Sequence, residues 1–298
     1  MNTELPELSV AQIWRYPVKS MGGERLEQAE VGRRGLVWDR GWAVRDEKIG
    51  VTRSARYIPR LLLCSARYLP GTSAGTVPHV EITLPDGSLV GSDDPGVHQR
   101  LSTAIGREVT LVSTGSLSGE AMSRQAPYET GDFETEMRMI FGLKDDEPLP
   151  DMQAMMKDVS RSDVFMQTFH DSFSINVLTT SSIRHLQNHV PSANLDVQRF
   201  RSNIIVDDGG ECDFERELEW IGKRIAAGPA IFDVVAGCAR CTIIAAAQQG
   251  GIARDLTITR TVVREMKQVM GIYCNVHQDG IIRTGDAVTV LNDDAAGA

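Results

Sequence analysis

Gly237-Cys238-Ala239-Arg240-Cys241-Thr242-Ile243-Ile244 sets two thiols and a cation directly after the run Ala230-Ile231-Phe232-Asp233-Val234-Val235. That run is short, β-branched and nearly all apolar, which predicts a strand buried on both faces with the cysteines at its end. The end of a strand inside a barrel is a good place for a ligand. A thiolate is the soft donor taken by molybdenum, copper(I), zinc and iron–sulfur centres, and the adjacent Arg240 is expected to help hold Cys241 deprotonated. The stretch therefore reads as a metal or cofactor anchor.

The Cys-x-x-Cys spacing also raises structural zinc and thioredoxin-type chemistry. Structural zinc takes four ligands, and no second Cys or His pair stands at suitable spacing; His277 is alone. A thioredoxin-type motif opens a helix after a strand of an α/β domain, whereas Thr242-Ile243-Ile244 reads as continuing β. Cys64, Cys212, Cys238, Cys241 and Cys274 are odd in number and irregularly spaced. A secreted disulfide framework is not written that way, so reduced thiols are expected.

Working outward, the rest of the chain is also mostly strand. Ile13-Trp14-Arg15-Tyr16-Pro17-Val18, Met21-Gly22-Gly23, Gln28-Ala29-Glu30-Val31 and Gly41-Trp42-Ala43-Val44 are short β-rich runs between turns. His79 to Leu84, ended by Pro85-Asp86-Gly87, and Val109 to Val112 continue the rhythm, with one helix expected over Val97–Ile105. Such spacing suggests barrels or sandwiches. From Ser113 to about Asp158 the rhythm breaks: Asp145-Asp146-Glu147-Pro148 and methionines at 137, 139, 152, 155 and 156 read as a linker with one or two short surface helices. Packing is its expected role; a flexible lid is the functional alternative, since Met adapts to varied surfaces.

After the linker, Phe173 to Leu178 and Asn203 to Val206 read as strands, and Thr179-Thr180-Ser181-Ser182 offers N-caps for a helix through Ile183, Leu186 and Val190. Asp255 is placed to cap a second helix in which Ile258, Val262, Met266, Val269 and Met270 recur, with Gly271 as its terminator. Ile281 to Leu291 reads as two strands around Gly285-Asp286. The fold class expected is mainly β, with two intimately packed β-barrel-like domains and a few peripheral α-helices. The divisions fall at 1–128, 129–160 (linker) and 161–298.

The 298 residues, 42% hydrophobic, are ample for a core. A net charge of −9 and a pI near 5.2 exclude general binding to nucleic acid or acidic membranes, so any basic cluster has a local purpose. The N-terminus shows no cationic and apolar leader pattern, and no uncharged run is long enough to cross a bilayer. A cytoplasmic location is expected.

Tyr16-Pro17-Val18-Lys19-Ser20 followed by Asp39-Arg40-Gly41-Trp42 resembles the MOSC N-terminal β-barrel domain. Phe200-Arg201-Ser202-Asn203, Cys238-Ala239-Arg240-Cys241 and Val276 to Val288 resemble the MOSC domain itself, in the group that includes amidoxime-reducing components. The resemblance implies a molybdenum cofactor of the molybdopterin type, with Cys241 as metal ligand and catalytic centre. It places Lys19, Ser20, Arg40, Arg201 and Asn203 on the pterin or its phosphate, with Asp171, Ser172 and Tyr273 also lining the site and Arg240 beside the thiol. An anionic cofactor in an acidic protein needs such local cations and hydrogen-bond donors.

The reaction implied is reduction of the N–O bond of an N-hydroxylated small molecule. No cysteine-rich segment follows Asp286, so electrons are expected from a separate flavoprotein or iron–sulfur partner. The chain departs from the reductase pattern after Cys241: relatives carry a Thr-Thr-Val-Asp-Pro-type segment where this sequence has Thr242-Ile243-Ile244-Ala245-Ala246-Ala247-Gln248-Gln249. Groups around a metal's ligands tune it, so the departure bears on substrate more than cofactor. MOSC domains also occur in molybdenum-cofactor sulfurases, which leaves two alternatives: sulfur transfer by a persulfide on Cys241, or non-catalytic carriage of the cofactor. No pyridoxal-phosphate lysine domain is present, which argues against a complete sulfurase.

Overall fold

The computed structural model describes residues 8–70, 76–118, 121, 128–150, 168–170, 172–210 and 213–291. The protein is mainly β, as its alternating runs predict. Seven strands close a barrel in the order Ile204–Asp207, Ile175–Thr179, Val269–Gln278, Ala230–Ala239, Arg224–Ala227, Ala287–Leu291 and Leu8–Arg15, the last returning to the first. Closure leaves no free sheet edge. Inside it lie Val10, Ile13, Val177, Ile204, Phe232, Ile272 and Cys274, each at most 1% exposed; full burial of such a side chain contributes roughly 1.5–3 kcal/mol.

The barrel does not respect the sequence boundary at 128. Leu8–Arg15 is one of its strands, pairing with Ile204–Asp207 along one side and successively with Ala287–Leu291 and Glu24–Leu26 along the other. Gln28–Gly32 pairs with Gly280–Arg283. The remaining N-terminal residues build a second module from two three-stranded sheets: Val109–Ser113, Trp42–Asp46 and Val51–Thr52 form one, and Ser65–Tyr68, Val80–Thr83 and Leu89–Gly91 the other. The predicted helix Val97–Ile105 packs Val97, Leu101 and Ile105 into their shared core.

Several expectations are corrected. Ala230–Ala239 is longer than expected and buried alternately rather than on both faces, because one face of a barrel strand looks outward. The helix capped by Asp255 spans Leu256–Glu265 and stops there. Lys267 and Gln268 take positive φ and turn the chain, so Val269, Met270 and Gly271 belong to the strand Val269–Gln278. Apolar spacing could not separate the two because Met266 and Met270 are both fully buried, one at the helix end and the other in the strand. Thr242–Ala245 is one 3₁₀ turn, not continuing strand, so that premise against thioredoxin-type chemistry is withdrawn.

Thr179 caps the helix Thr180–His189 as expected, accepting a hydrogen bond from Ser182 N at 3.2 Å. In the linker, Phe133–Phe141 is a helix capped by Asp132. It buries Ile140, Phe141 and the carboxylate of Glu136, so it is docked rather than laid on the surface; residues 151–167, including the later methionines, lie outside the described residues. Among the described residues no helix is long and apolar enough to cross a membrane. Cys64, Cys238, Cys241 and Cys274 are free thiols; Cys212 is outside the described residues.

Candidate cofactor site

The strand Ala230–Ala239 reaches its neighbour Val269–Gln278 through three shifts of register, one between Val234 and Ala236 and another between Gly237 and Ala239. Bulges of this kind re-aim side chains. Cys238 and Arg240 face inward, 3% and 6% exposed, while Cys241 is half-buried at the start of the 3₁₀ turn. The two residues that follow Thr242 split between cores: Ile243 packs into the N-terminal module and Ile244 against the helices of the barrel. Cys241 itself touches the N-terminal core. The thiol thus sits where the two halves meet.

Backbone pairing brings the distant sequence strings to it. Arg40 N donates to Tyr16 O at 2.7 Å, Trp42 N to Pro17 O at 3.0 Å and Lys19 N to Trp42 O at 2.8 Å. Asn203 N donates to Asn176 O at 2.8 Å, and Trp14 N to Asn203 O at the same distance. One cleft results, lined by Cys241, Lys19, Ser20, Arg40, Arg201 and Asn203, with Ser172, Arg240 and Tyr273 completing the predicted set. Asp171 lies outside the described residues.

Ser20, Arg40 and Arg201 all have positive φ, at 69°, 52° and 53°. Non-glycine residues adopt this conformation at a cost and cluster at functional sites. Both arginines lie over the ring of Tyr16, with guanidinium carbons 5.1 and 4.4 Å from its centre. Burial pushes the Tyr16 phenol well up, against the opposing pull of Arg201 and Arg40. Arg201 Nη1 also donates to Met21 O at 2.6 Å, and Lys19 Nζ to Phe169 O at 2.8 Å.

Behind this wall stands Asp39, fully buried, which gathers four donors. Its Oδ1 accepts from Tyr16 N at 2.7 Å; its Oδ2 accepts from Asn203 Nδ2 at 2.9 Å, faces His170 Nε2 at 3.2 Å and pairs with Arg40 Nη1. Burial alone would raise the Asp39 carboxyl, but Arg40, His170 and the Tyr16 N–H outweigh it and hold it far below the usual carboxylate range. Burial, with Arg40 and Lys19 nearby, lowers His170 against the opposing pull of Asp39.

Three predicted residues are more committed to the protein than their types suggest. Asn203 donates both amide protons internally, to Asp39 and to Trp14 O, and its Oδ1 accepts from Asn176 N at 3.2 Å, so its whole amide is engaged within the protein. Ser20 Oγ accepts from Ala55 N at 2.8 Å, leaving its O–H to donate. Arg240 does not turn toward Cys241. It bonds Met270 O and Phe200 O at 2.6 Å and Asn176 Oδ1 at 3.3 Å, and the thiol its charge acts on is Cys238, whose pKa burial nonetheless raises.

Sequence reasoning missed Arg56, His170, Asn176 and Arg199, all in the cleft wall. Asn176 carried a signal, a polar residue inside the apolar run Ile175-Asn176-Val177-Leu178. Arg199 carried none, since its partners are carbonyls of remote loops. Every charged side chain among the described lining residues is a cation or a histidine, with no carboxylate, in a chain whose net charge is −9.

Residues 7–120 match the MOSC N-terminal beta barrel domain, and residues 166–289 match the MOSC domain. The chain belongs to the MOSC family. This MOSC protein is 25% identical to the human mitochondrial amidoxime reducing component 2, over 94% of its own length and 82% of the relative's. It is 24% identical to the molybdenum cofactor sulfurase of Neosartorya fischeri, over 91% of its own length but only 37% of the sulfurase's. Among solved structures it aligns with the YUAD protein from Bacillus subtilis with a TM-score of 0.43 and 11% identity, over 96% of each chain.

Proposed function

We propose that this MOSC protein binds a molybdenum cofactor in the cleft, with Cys241 as the protein ligand to the metal. In this reading it is an oxidoreductase that reduces N-hydroxylated compounds with electrons from a separate protein donor. The observation that carries the reading is the lining: among the described lining residues, cations without carboxylates stand around one half-buried thiol, in an otherwise acidic chain. The donor set fits such a group, because a phosphate-bearing pterin needs cations and N–H or O–H donors while a soft metal needs a thiolate.

When bound, the cofactor would supply the two-electron redox chemistry of the reaction. The chain's own residues bind and orient. Lys19, Arg40 and Arg201 would hold the anionic end, and Ser20 can add its hydroxyl proton. Asp39 keeps Arg40 and Asn203 in register from behind. Tyr273, stacked on Phe173 with ring centres 5.0 Å apart, closes the thiol end; burial pushes its phenol well up, so its proton stays on oxygen at neutral pH. A reduced thiol ligand suits a cytoplasmic location.

The same half-buried thiol supports a second reading, sulfur transfer by a persulfide on Cys241. The sulfurase similarity, at nearly the same identity as the reductase similarity, favours keeping it. The deciding experiment is elemental and pterin analysis of protein made in a host that synthesises the cofactor. About one molybdenum per chain is expected. Repeated absence of both metal and pterin would end the oxidoreductase reading, and an added sulfur on intact Cys241 by mass spectrometry would establish the alternative.

A further inference from the structure

Two turns bring Arg40 and Arg201 to the cleft, and one residue outside the predicted set joins them. Tyr16, fully buried, meets the Arg40 turn through its backbone. Its N–H donates to Asp39 Oδ1 at 2.7 Å, and its carbonyl accepts from Arg40 N at the same distance. Its hydroxyl reaches the other turn, 3.4 Å from Ser202 O and next to Arg201. Between these two ends both guanidiniums lie over the ring, their carbons 5.1 and 4.4 Å from its centre. Arg40 Nη2 completes the link by donating to Arg201 O at 3.4 Å.

The surroundings make room for the ring and hold the turns. A Cβ on Gly23 would lie 2.7 Å from Tyr16 Cδ1, so a side chain at that position would displace the ring. Arg40 and Arg201 each take positive φ, 52° and 53°, a conformation that costs a non-glycine residue and persists where its surroundings fix it. Burial keeps the Tyr16 phenol protonated, so the ring acts through its negative face rather than as a counter-ion. The difference matters for an anion site. A carboxylate orders a cation and also cancels its charge, as Asp39 does for Arg40. An aromatic face orders the cation and leaves its charge to the ligand.

We propose that Tyr16 is the positioning residue for the anionic end of the cleft: the negative face of its ring holds Arg40 and Arg201 in the geometry that binds a phosphate group. The inference rests on the functional reading above. Tyr16 is not among the described lining residues, so it acts through the two arginines.

The test changes the ring's face and keeps its shape. In full-length protein made without cofactor, Tyr16 is replaced by phenylalanine, 4-fluorophenylalanine and 3,4,5-trifluorophenylalanine, each fluorine drawing electron density from the face. Inorganic pyrophosphate is then titrated calorimetrically. Tyr16→Phe should keep the wild-type affinity within about twofold, because the hydroxyl bond it removes is long at 3.4 Å. The 4-fluoro ring should bind more weakly, and the trifluoro ring at least about fivefold more weakly than phenylalanine, with the thermal midpoint little changed. Molybdenum retained per chain in a cofactor-making host should fall in the same order.

Equal pyrophosphate affinity across the fluorinated series, or no measurable binding by the wild type, overturns the proposal. So does molybdenum retention that stays level across the series in a metal-bearing protein. A folded Tyr16→Phe protein that loses the affinity overturns it too, by assigning the role to the hydroxyl. If the trifluoro protein does not fold, the 4-fluoro step decides alone, since that atom fills the room the hydroxyl leaves. Failure of the functional reading shows separately: wild-type protein from the cofactor-making host then holds neither molybdenum nor pterin, and a graded pyrophosphate affinity still upholds the positioning role.

Discussion

Replacing Arg199 by lysine keeps a buried positive charge and removes the fork that carries it. Arg199 is 1% exposed, and its hydrogen bonds run to carbonyls of three loops. Nε donates to Asn194 O at 2.6 Å, Nη1 to both Ile244 O and Ala246 O at 3.1 Å, and Nη2 to Ala253 O at 2.6 Å. Burial lowers the pKa of this guanidinium, opposed at longer range by Asp255 and Asp196. An ammonium has three donors on one atom and cannot span these acceptors together. At least two carbonyls lose their donor, and at about 1–3 kcal/mol for each buried group left unsatisfied the cost is roughly 2–6 kcal/mol. That is a large share of the about 5–15 kcal/mol by which folded proteins are stable. Urea unfolding should show a lower midpoint with an unchanged slope. Because Arg199 clamps the segment just after Cys241, iodoacetamide should also alkylate Cys241 faster in the folded variant. A change in unfolding free energy below about 0.5 kcal/mol, or an unaltered alkylation rate, would refute the clamp.

Four further outcomes are expected. Cys241→Ser should fold normally and lose molybdenum or its spectrum, since a hydroxyl stays protonated at neutral pH; Cys238→Ser should cost at most about 1–3 kcal/mol of stability and keep activity per bound metal, and the reverse pattern would identify the wrong sulfur. Arg201→Ala and Lys19→Ala should both retain less cofactor, by metal analysis, with the thermal midpoint little changed; equal retention would place them outside the site. His170 is depressed by burial, so it is neutral in the fold where the unfolded chain takes a proton. Its contribution therefore falls as pH drops through about 6.5, with a slope of up to about 1.4 kcal/mol per pH unit. His170→Gln should flatten the stability profile on the acid side of that value, and identical slopes would count against the assignment. Gly271→Ala should destabilise by about 2 kcal/mol or more, because Gly271 has φ +84° and an added Cβ would lie 2.7 Å from Arg240 Nη2 and 2.9 Å from Val177 O; chemical denaturation measures it.

The sequence by itself determined the β class, the helix Val97–Ile105 and the capping of two helices by Thr179 and Asp255, and it singled out short strings that line one cleft with Cys241. These are local matters: periodicity reports the state of a segment, and a short polar side chain before an apolar repeat reports where a helix starts. Pairing is not local. Only the tertiary structure decided that Leu8–Arg15 is a strand of the barrel completed by residues after 174, and that Gly280–Arg283 pairs with Gln28–Gly32 while Ala287–Leu291 pairs with Arg224–Ala227. Asp39 and Arg199 show the same limit within the site. Each is a buried charge whose partners are donors or carbonyls from distant segments, and only a closed barrel carrying its N-terminal module brings those segments within 3 Å or so of one another.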